Sequence, residues 1–188
     1  GGTVSKRYVI LASGDKYTDV LTATVLGNEK KCPILLTDLD LVSENTMNEI
    51  KRLNVDEVII SGGPLSVSEK VVSQLKKAGY NVRRISGRDR YGTAQKIGEE
   101  VRLTNTNKKE AIIVDGTNFP DVITLSTLAN QRRIPILLTQ PKALNSTTNK
   151  LLDDWKIDKV TIGGEKTSVS KNVENSIKSK IKEVSRIG

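Results

Sequence analysis

Histidine does not occur in the chain and cysteine occurs once, at Cys32. No intramolecular disulfide can therefore form, and the usual parts of a zinc site or a histidine-based triad are missing. The Gly-x-Ser-x-Gly nucleophile turn, the Gly-x-Gly-x-x-Gly fingerprint and the phosphate-loop signature are also lacking. Aromatic residues make up only 3% of the chain, which leaves core volume to Val, Ile and Leu. These are the residues of strands buried under helices, so the composition favours an α/β chain over an all-β sandwich. No apolar run approaches the roughly 18 residues of a membrane span, so membrane insertion is not expected. The opening Gly1-Gly2-Thr3-Val4-Ser5-Lys6 does not read as a signal peptide.

What is present is basic charge. Thirty Lys and Arg against 22 Asp and Glu give a formal charge of +8, which suggests an anionic partner without naming it. Nucleic acid is not expected, because stacking aromatics are scarce and no helix carries a dense basic run. Cys32, placed before Pro33 at a strand entrance, reads as a small buried hydrophobe.

The chain is organised around a repeated segment. Pro33-Ile34-Leu35-Leu36-Thr37 returns, in the same order, as Pro135-Ile136-Leu137-Leu138-Thr139, an offset of 102. Three aliphatics between Pro and Thr predict a short strand buried on both faces, with Pro at its entrance. The same offset carries Gly14 onto Gly116, Asp19 onto Asp121, Ser43 onto Asn145, Thr46 onto Thr148, Ser68 onto Ser170 and Arg84 onto Arg186. Matching glycines to glycines shortens the offset to 101 at Gly62-Gly63 against Gly163-Gly164, as if one residue had moved in a loop. A repeat this long predicts two small domains, residues 8–105 and 109–188, each with its own core.

Within the first copy the pattern predicts strands over 8–12, 33–37, 57–60 and 82–85. Helices are expected over 17–28, from Ser43 with Met47, Ile50 and Leu53 buried, and from a Ser66/Glu69 capping box through Ala78 to Gly79. Val71, Val72, Leu75 and Ala78 are its expected buried face. The second copy repeats this order, with strands over 112–114, 136–139, 159–162 and 184–187, and Val173, Ile177 and Ile181 as a buried stripe. Strands alternating with short helices imply right-handed βαβ units, hence two doubly wound, mainly parallel sheets. The stretches 20–28 and 122–131 carry no charge. Such a helix is either central to its own module or packed between modules.

Between the copies, Ser86 to Ala94 leads into a helix with Tyr91, Ala94, Ile97, Gly98 and Val101 on one side. Asp89 is its expected N-cap. Arg88 and Arg90 would either grip an anion or tie one module to the next through carboxylates, and the position at the junction favours the tie. The second copy stops at Gly188, where this motif would begin, so it reads as truncated. Ligands of open parallel sheets settle beyond the strands' carboxyl ends. That puts Ser13-Gly14, Thr37, Ser61-Gly62-Gly63, Asp115-Gly116, Thr139 and Gly163-Gly164 in reach of one, although the glycines would equally serve tight turns. Asp38-Leu39-Asp40 could chelate a hard cation, but its counterpart Gln140-Pro141-Lys142 could not; solvated aspartates are the plainer reading, and neither metal nor cofactor is expected.

The ordered set Ile10 to Gly14, Pro33 to Thr37, Ser61-Gly62-Gly63 with Val67-Ser68, and Gly87-Arg88-Asp89-Arg90-Tyr91 with Thr93-Ala94 resembles the cell wall binding repeat 2 family. That family occurs in surface-layer and other cell wall proteins of clostridia and relatives, and the resemblance runs from about Tyr8 to Gly188. It implies extracellular, non-covalent attachment of a surface protein to an anionic cell wall polysaccharide of a Gram-positive wall. It also implies topoisomerase-primase-like modules packed in threes about a pseudo-threefold axis, so further copies of the repeat are expected partners. The Pro-Ile-Leu-Leu-Thr segment is the part it links to binding. Carried over, this points to Pro33, Ile34, Leu36 and Thr37 and to Pro135, Ile136, Leu138 and Thr139, the two threonines above all, with Leu35 and Leu137 in the core. Arg88, Asp89, Arg90, Tyr91 and Thr93 form the junction. The rivals are an enzyme domain acting on a phosphate ligand or using a metal, and an architectural spacer.

Overall fold

Apolar runs such as Val9-Ile10-Leu11-Ala12 are too short for helices, and a helix between successive runs supplies the crossover that parallel pairing needs. The computed structural model, which describes residues 6–117 and 122–188, has two such sheets. The first has strands β1 (Tyr8–Ser13), β2 (Ile34–Thr37), β3 (Glu57–Ser61) and β4 (Asn81–Ile85) in the order β2-β1-β3-β4, all parallel. The second has β5 (Glu110–Asp115), β6 (Ile136–Thr139), β7 (Lys159–Gly163) and β8 (Glu183–Ile187) in the order β6-β5-β7-β8. The crossovers are α1 (Tyr17–Lys30), α2 (Glu44–Leu53) and α3 (Glu69–Lys77) in the first module, and α5 (Val122–Arg132), α6 (Ser146–Asp154) and α7 (Lys171–Lys178) in the second. Helix α4 (Arg90–Arg102) joins the two.

Helix starts follow cap chemistry. Ser43, Asp89, Asn145 and Ser170 each accept a backbone N–H from the first turn. At α3 the expectation is corrected: the cap is Ser68, which accepts from the Lys70 N–H, and Ser66 lies in the preceding turn with its own N–H on the Gly63 carbonyl. The helix thus begins one turn-step later, and Ala78, past its end, is exposed rather than buried.

The offset also needs correction. Ala12 pairs with Ser61 and Val114 with Gly163, so Ser61 and Gly163 are equivalent and the spacing stays at 102 through this loop. Gly62 and Gly164 are the true counterparts, with φ of 116° and 114°, and each donates its N–H to the end of the last strand, at Ile85 and Ile187. Matching letters paired the wrong glycines, because the backbone demands glycine only where φ is positive. Asp121, the repeat partner of Asp19, lies outside the described residues.

Alternation along the strands divides the core in three. Val9, Leu11, Val58 and Ile60 face α2 and α3, and Ala111, Ile113, Val160 and Ile162 face α6 and α7, giving each module an outer core. The opposite faces, Ile10 and Ile59 of one sheet and Ile112 and Val114 of the other, meet in one cluster with α1, α4 and α5. The charge-free helices are therefore both central to their modules and packed between them. A bidentate ion pair closes this boundary: the Glu29 carboxylate, 1% exposed, accepts from Arg133 Nε at 2.7 Å and Nη2 at 2.9 Å, and from Thr104 Oγ1 at 2.8 Å. The equivalent residues Asn28 and Asn130 also meet there, Asn28 Nδ2 donating to the Asn130 carbonyl at 3.3 Å.

The two copies of the repeated strand fare differently, which corrects the expectation that both are buried on two faces. β6 is buried throughout, under Ala94, Ile97 and Val101 of α4, whereas Leu36 of β2 is exposed and Ile34 and Leu35 half-buried. No helix among the described residues covers β2 as α4 covers β6.

Candidate anion-binding site

From β1 the chain passes to β2 on one side of the sheet and then to β3 on the other. The loops after β1 and β3 therefore diverge at their carboxyl ends, which is the topological switch point where open α/β sheets hold ligands. A cavity of about 420 Å³ opens there. Its walls are Lys16, Thr18 and Asp19 after β1, Gly63 to Ser66 after β3, and Gly87 to Arg90 with Thr93 at the start of α4.

Three cationic side chains line it, Lys16, Arg88 and Arg90, against the carboxylates Asp19 and Asp89. Asp89 is engaged as the α4 cap, accepting the Gly92 N–H at 2.8 Å. Arg88 is exposed and takes part in no hydrogen bond or ion pair among the described residues. Arg90 reaches the second module, donating from Nη1 to the Gly116 carbonyl. It ties the modules through a backbone oxygen and not, as expected, through a carboxylate. At the wall formed by α1 the N-cap residue Lys16 makes no side-chain capping hydrogen bond, and the positive end of the helix dipole points at the cavity rim.

Asp19 forms the buried side of the cavity. It is 6% exposed, and burial raises its carboxyl above the usual range, opposed by the Ser66 hydroxyl and by the charges of Arg90 and Lys16. Gly62 lies against it so closely that a Cβ there would come within 2.8 Å of Asp19 Oδ2. Arg84 holds the same loop, donating from Nη1 to the Gly62 carbonyl at 2.8 Å, as Arg186 does to Gly164 in the second module.

Of the residues singled out from sequence, Gly63, Arg88, Asp89, Arg90 and Thr93 line this cavity. Thr93 is buried and braces the turn by accepting the Gly87 N–H at 3.1 Å. Tyr91 packs against the shared core, and burial raises its hydroxyl's pKa. Ser61 and Gly62 lie just beneath the cavity, Ser61 Oγ donating to the Asp19 carbonyl at 3.5 Å. Gly14 and Gly116 close equivalent turns by donating to the carbonyls of Thr37 and Thr139. Ser13 caps its own turn, accepting the Asp15 N–H, and buried Asp115 does the same for Thr117.

The remaining candidates lie outside this cavity. Pro135, Ile136 and Leu138 are buried beneath α4, so a wall ligand cannot reach them; of their counterparts Pro33 and Leu36 are exposed and Ile34 half-buried. Thr37 and Thr139 are buried as well, and their hydroxyls donate to loop carbonyls, Thr37 to Asp38 and Leu41, Thr139 to Gln140 and Ala143. Gly163 and Gly164 are buried, and a Cβ on Gly163 would lie 2.6 Å from Leu125. Sequence reasoning missed Lys16, Asp19 and Ser66 as wall residues. The available signal was the return of Asp19 as Asp121 at the spacing of the repeat.

The cell wall binding domain 2 model matches residues 3–72 and 84–174. The chain belongs to the cell wall binding domain 2 family. Membership makes it a cell wall anchoring element, at work in the wall or at the cell surface. In Bacillus subtilis the N-acetylmuramoyl-L-alanine amidase LytC is 30% identical over 90% of the chain, and the Amidase enhancer 34% identical over 90%. The chain spans 34% and 22% of those two proteins. Among solved structures, Cwp6 from Clostridium difficile superposes with a TM-score of 0.87 at 31% identity and Cwp8 with 0.81 at 30%. Each superposition covers 97% of this chain, and 29% of Cwp6 or 31% of Cwp8. The family's α/β architecture is thus the one described above, in two modules.

Proposed function

We propose that this chain is a non-enzymatic binding element that retains a surface protein on the cell wall by holding an anionic cell wall polysaccharide, with the switch-point cavity as its grip. The observation that carries the reading is the convergence of Lys16, Arg88 and Arg90 on one cavity, with the Arg88 guanidinium in no hydrogen bond or ion pair among the described residues. A pyranose-sized group fits about 420 Å³, and the net positive wall favours one that carries negative charge. The repeats occupy residues 8–105 and 109–188. Further copies are partners, since exposed Leu36 on β2 and Ile123 on α5, 78% exposed, present apolar surface of the kind that α4 covers on β6.

Sedimentation with purified cell walls tests this. The chain should pellet with intact walls and remain in solution with walls stripped of anionic polymer, and Arg88→Glu should lower the bound fraction without changing the melting temperature. Equal binding to stripped and intact walls would reject the anionic ligand. Equal binding by Arg88→Glu would reject the cavity.

A further inference from the structure

Resting on that reading, we propose that Asp19 couples anion capture at the switch-point cavity to proton uptake, so that the site binds its anion more tightly in mildly acidic surroundings than at neutral pH. Asp19 is a buried carboxylate in no ion pair among the described residues, although three cations share its cavity. Three other buried carboxylates are paired directly with a cation, Glu29 with Arg133, Glu110 with Arg132 and Glu174 with Arg186, while Asp115 is held by the Thr117 N–H and hydroxyl. Asp19 instead faces Gly62 and the Ser66 hydroxyl, a neutral surround that suits the protonated acid as well as the anion.

The charges around it follow from the three walls. Lys16 comes from its own loop, Arg88, Asp89 and Arg90 from the start of α4, while the loop after β3 brings the Ser66 hydroxyl and no charged side chain. Arg84 below is committed to the Gly62 carbonyl and Glu69. With both carboxylates ionised, three cations stand against two negative charges. Protonating Asp19 removes one of these from the buried side, where it repels an incoming anion through low-dielectric surroundings. Asp89 does not serve the same role, because its charge is engaged by the Gly92 N–H.

Linkage makes the effect reciprocal: an anion seated beside Asp19 raises the carboxyl's proton affinity further, so binding takes up a proton. Burial already raises this carboxyl, which brings its titration toward mild acid.

Sulfate is a suitable probe, since its charge is constant between pH 4 and 7, roughly. Titrating the full chain calorimetrically, affinity for sulfate should rise roughly tenfold from pH 7 to pH 4, while Asp19→Asn should bind tightly at both. In wild type, over the pH range in which affinity changes, the binding heat should depend on the buffer's ionisation enthalpy, reporting proton uptake independently of any variant. Sulfate binding that is unchanged with pH, or equally pH-dependent in Asp19→Asn, overturns the inference and leaves the cavity standing. Sulfate that binds neither protein, or binds Arg88→Ala as well as wild type, overturns the cavity reading and this inference with it.

Discussion

Leu36 and Leu138 hold the same register position in equivalent strands, yet Leu36 is 51% exposed and Leu138 is 1% exposed. The difference is made by α4, which leaves the first module and lies over β6 of the second. Gly98 allows the approach: a Cβ there would stand 2.8 Å from the Trp155 ring and 3.3 Å from Pro135. Identical segments thus have different duties, one as core and one as open surface.

Truncation measures this directly. Leu138→Ala should cost about 2–5 kcal/mol in denaturant unfolding, as deletion of a fully buried leucine does, whereas Leu36→Ala should cost under about 1 kcal/mol. Equal losses would mean that β2 is covered in solution.

The loop register makes a second prediction. Ser61→Gly should be tolerated, because its counterpart is already glycine. Gly163→Ser should destabilise by about 1–3 kcal/mol, since its Cβ would overlap Leu125 at 2.6 Å. Thermal melting of the two variants compares them.

Acid should weaken the second module through Glu174. Its carboxylate accepts from Lys171, Lys178 and Arg186, and the hydrogen bond from Lys171 leads in lowering its pKa to about 2. A depressed folded pKa gives stability that is complete above the ordinary carboxylate value of about 4.3 and is lost as pH falls toward about 2. Glu174→Gln should lower stability at pH 7 by about 2 kcal/mol and flatten the decline below pH 4, roughly, in melts recorded across that range.

Wall binding should weaken with salt. A chain of formal charge +8 is drawn to a polyanion over a screening length of about 8 Å at physiological ionic strength, and this shrinks to about 3 Å at 1 M. Retention on walls unchanged between those conditions would remove long-range attraction as a main contribution.

The sheets were legible because Val9 to Ala12 and its relatives are short, β-rich and separated by capped helices, a local signal that repeats. Ser43, Asp89 and Ser170 announced helix starts by side-chain chemistry alone. The candidate cavity was less legible, because Lys16, Ser66 and Arg88 lie in three loops that only the crossover order brings together. Thr37 and Thr139 illustrate the complementary error: a polar residue at a strand end reads as available, but its hydroxyl is already engaged by carbonyls one and four residues away. Which of two identical strands is covered is not encoded in either strand, but in where α4 comes to rest.

The unbroken spacing of 102 has a genetic corollary. Exchange between misaligned copies of such a gene joins equivalent positions, so it inserts or removes one whole module with every turn, cap and strand register preserved. The inter-module cluster of Ile10, Ile112, Leu125 and Ala129 makes the two products unequal. A second module covers the side of α1 that packs on α5, whereas a single remaining module would leave that side of α1 facing water. Copy number in such a lineage can therefore climb by recombination more readily than it can fall to one.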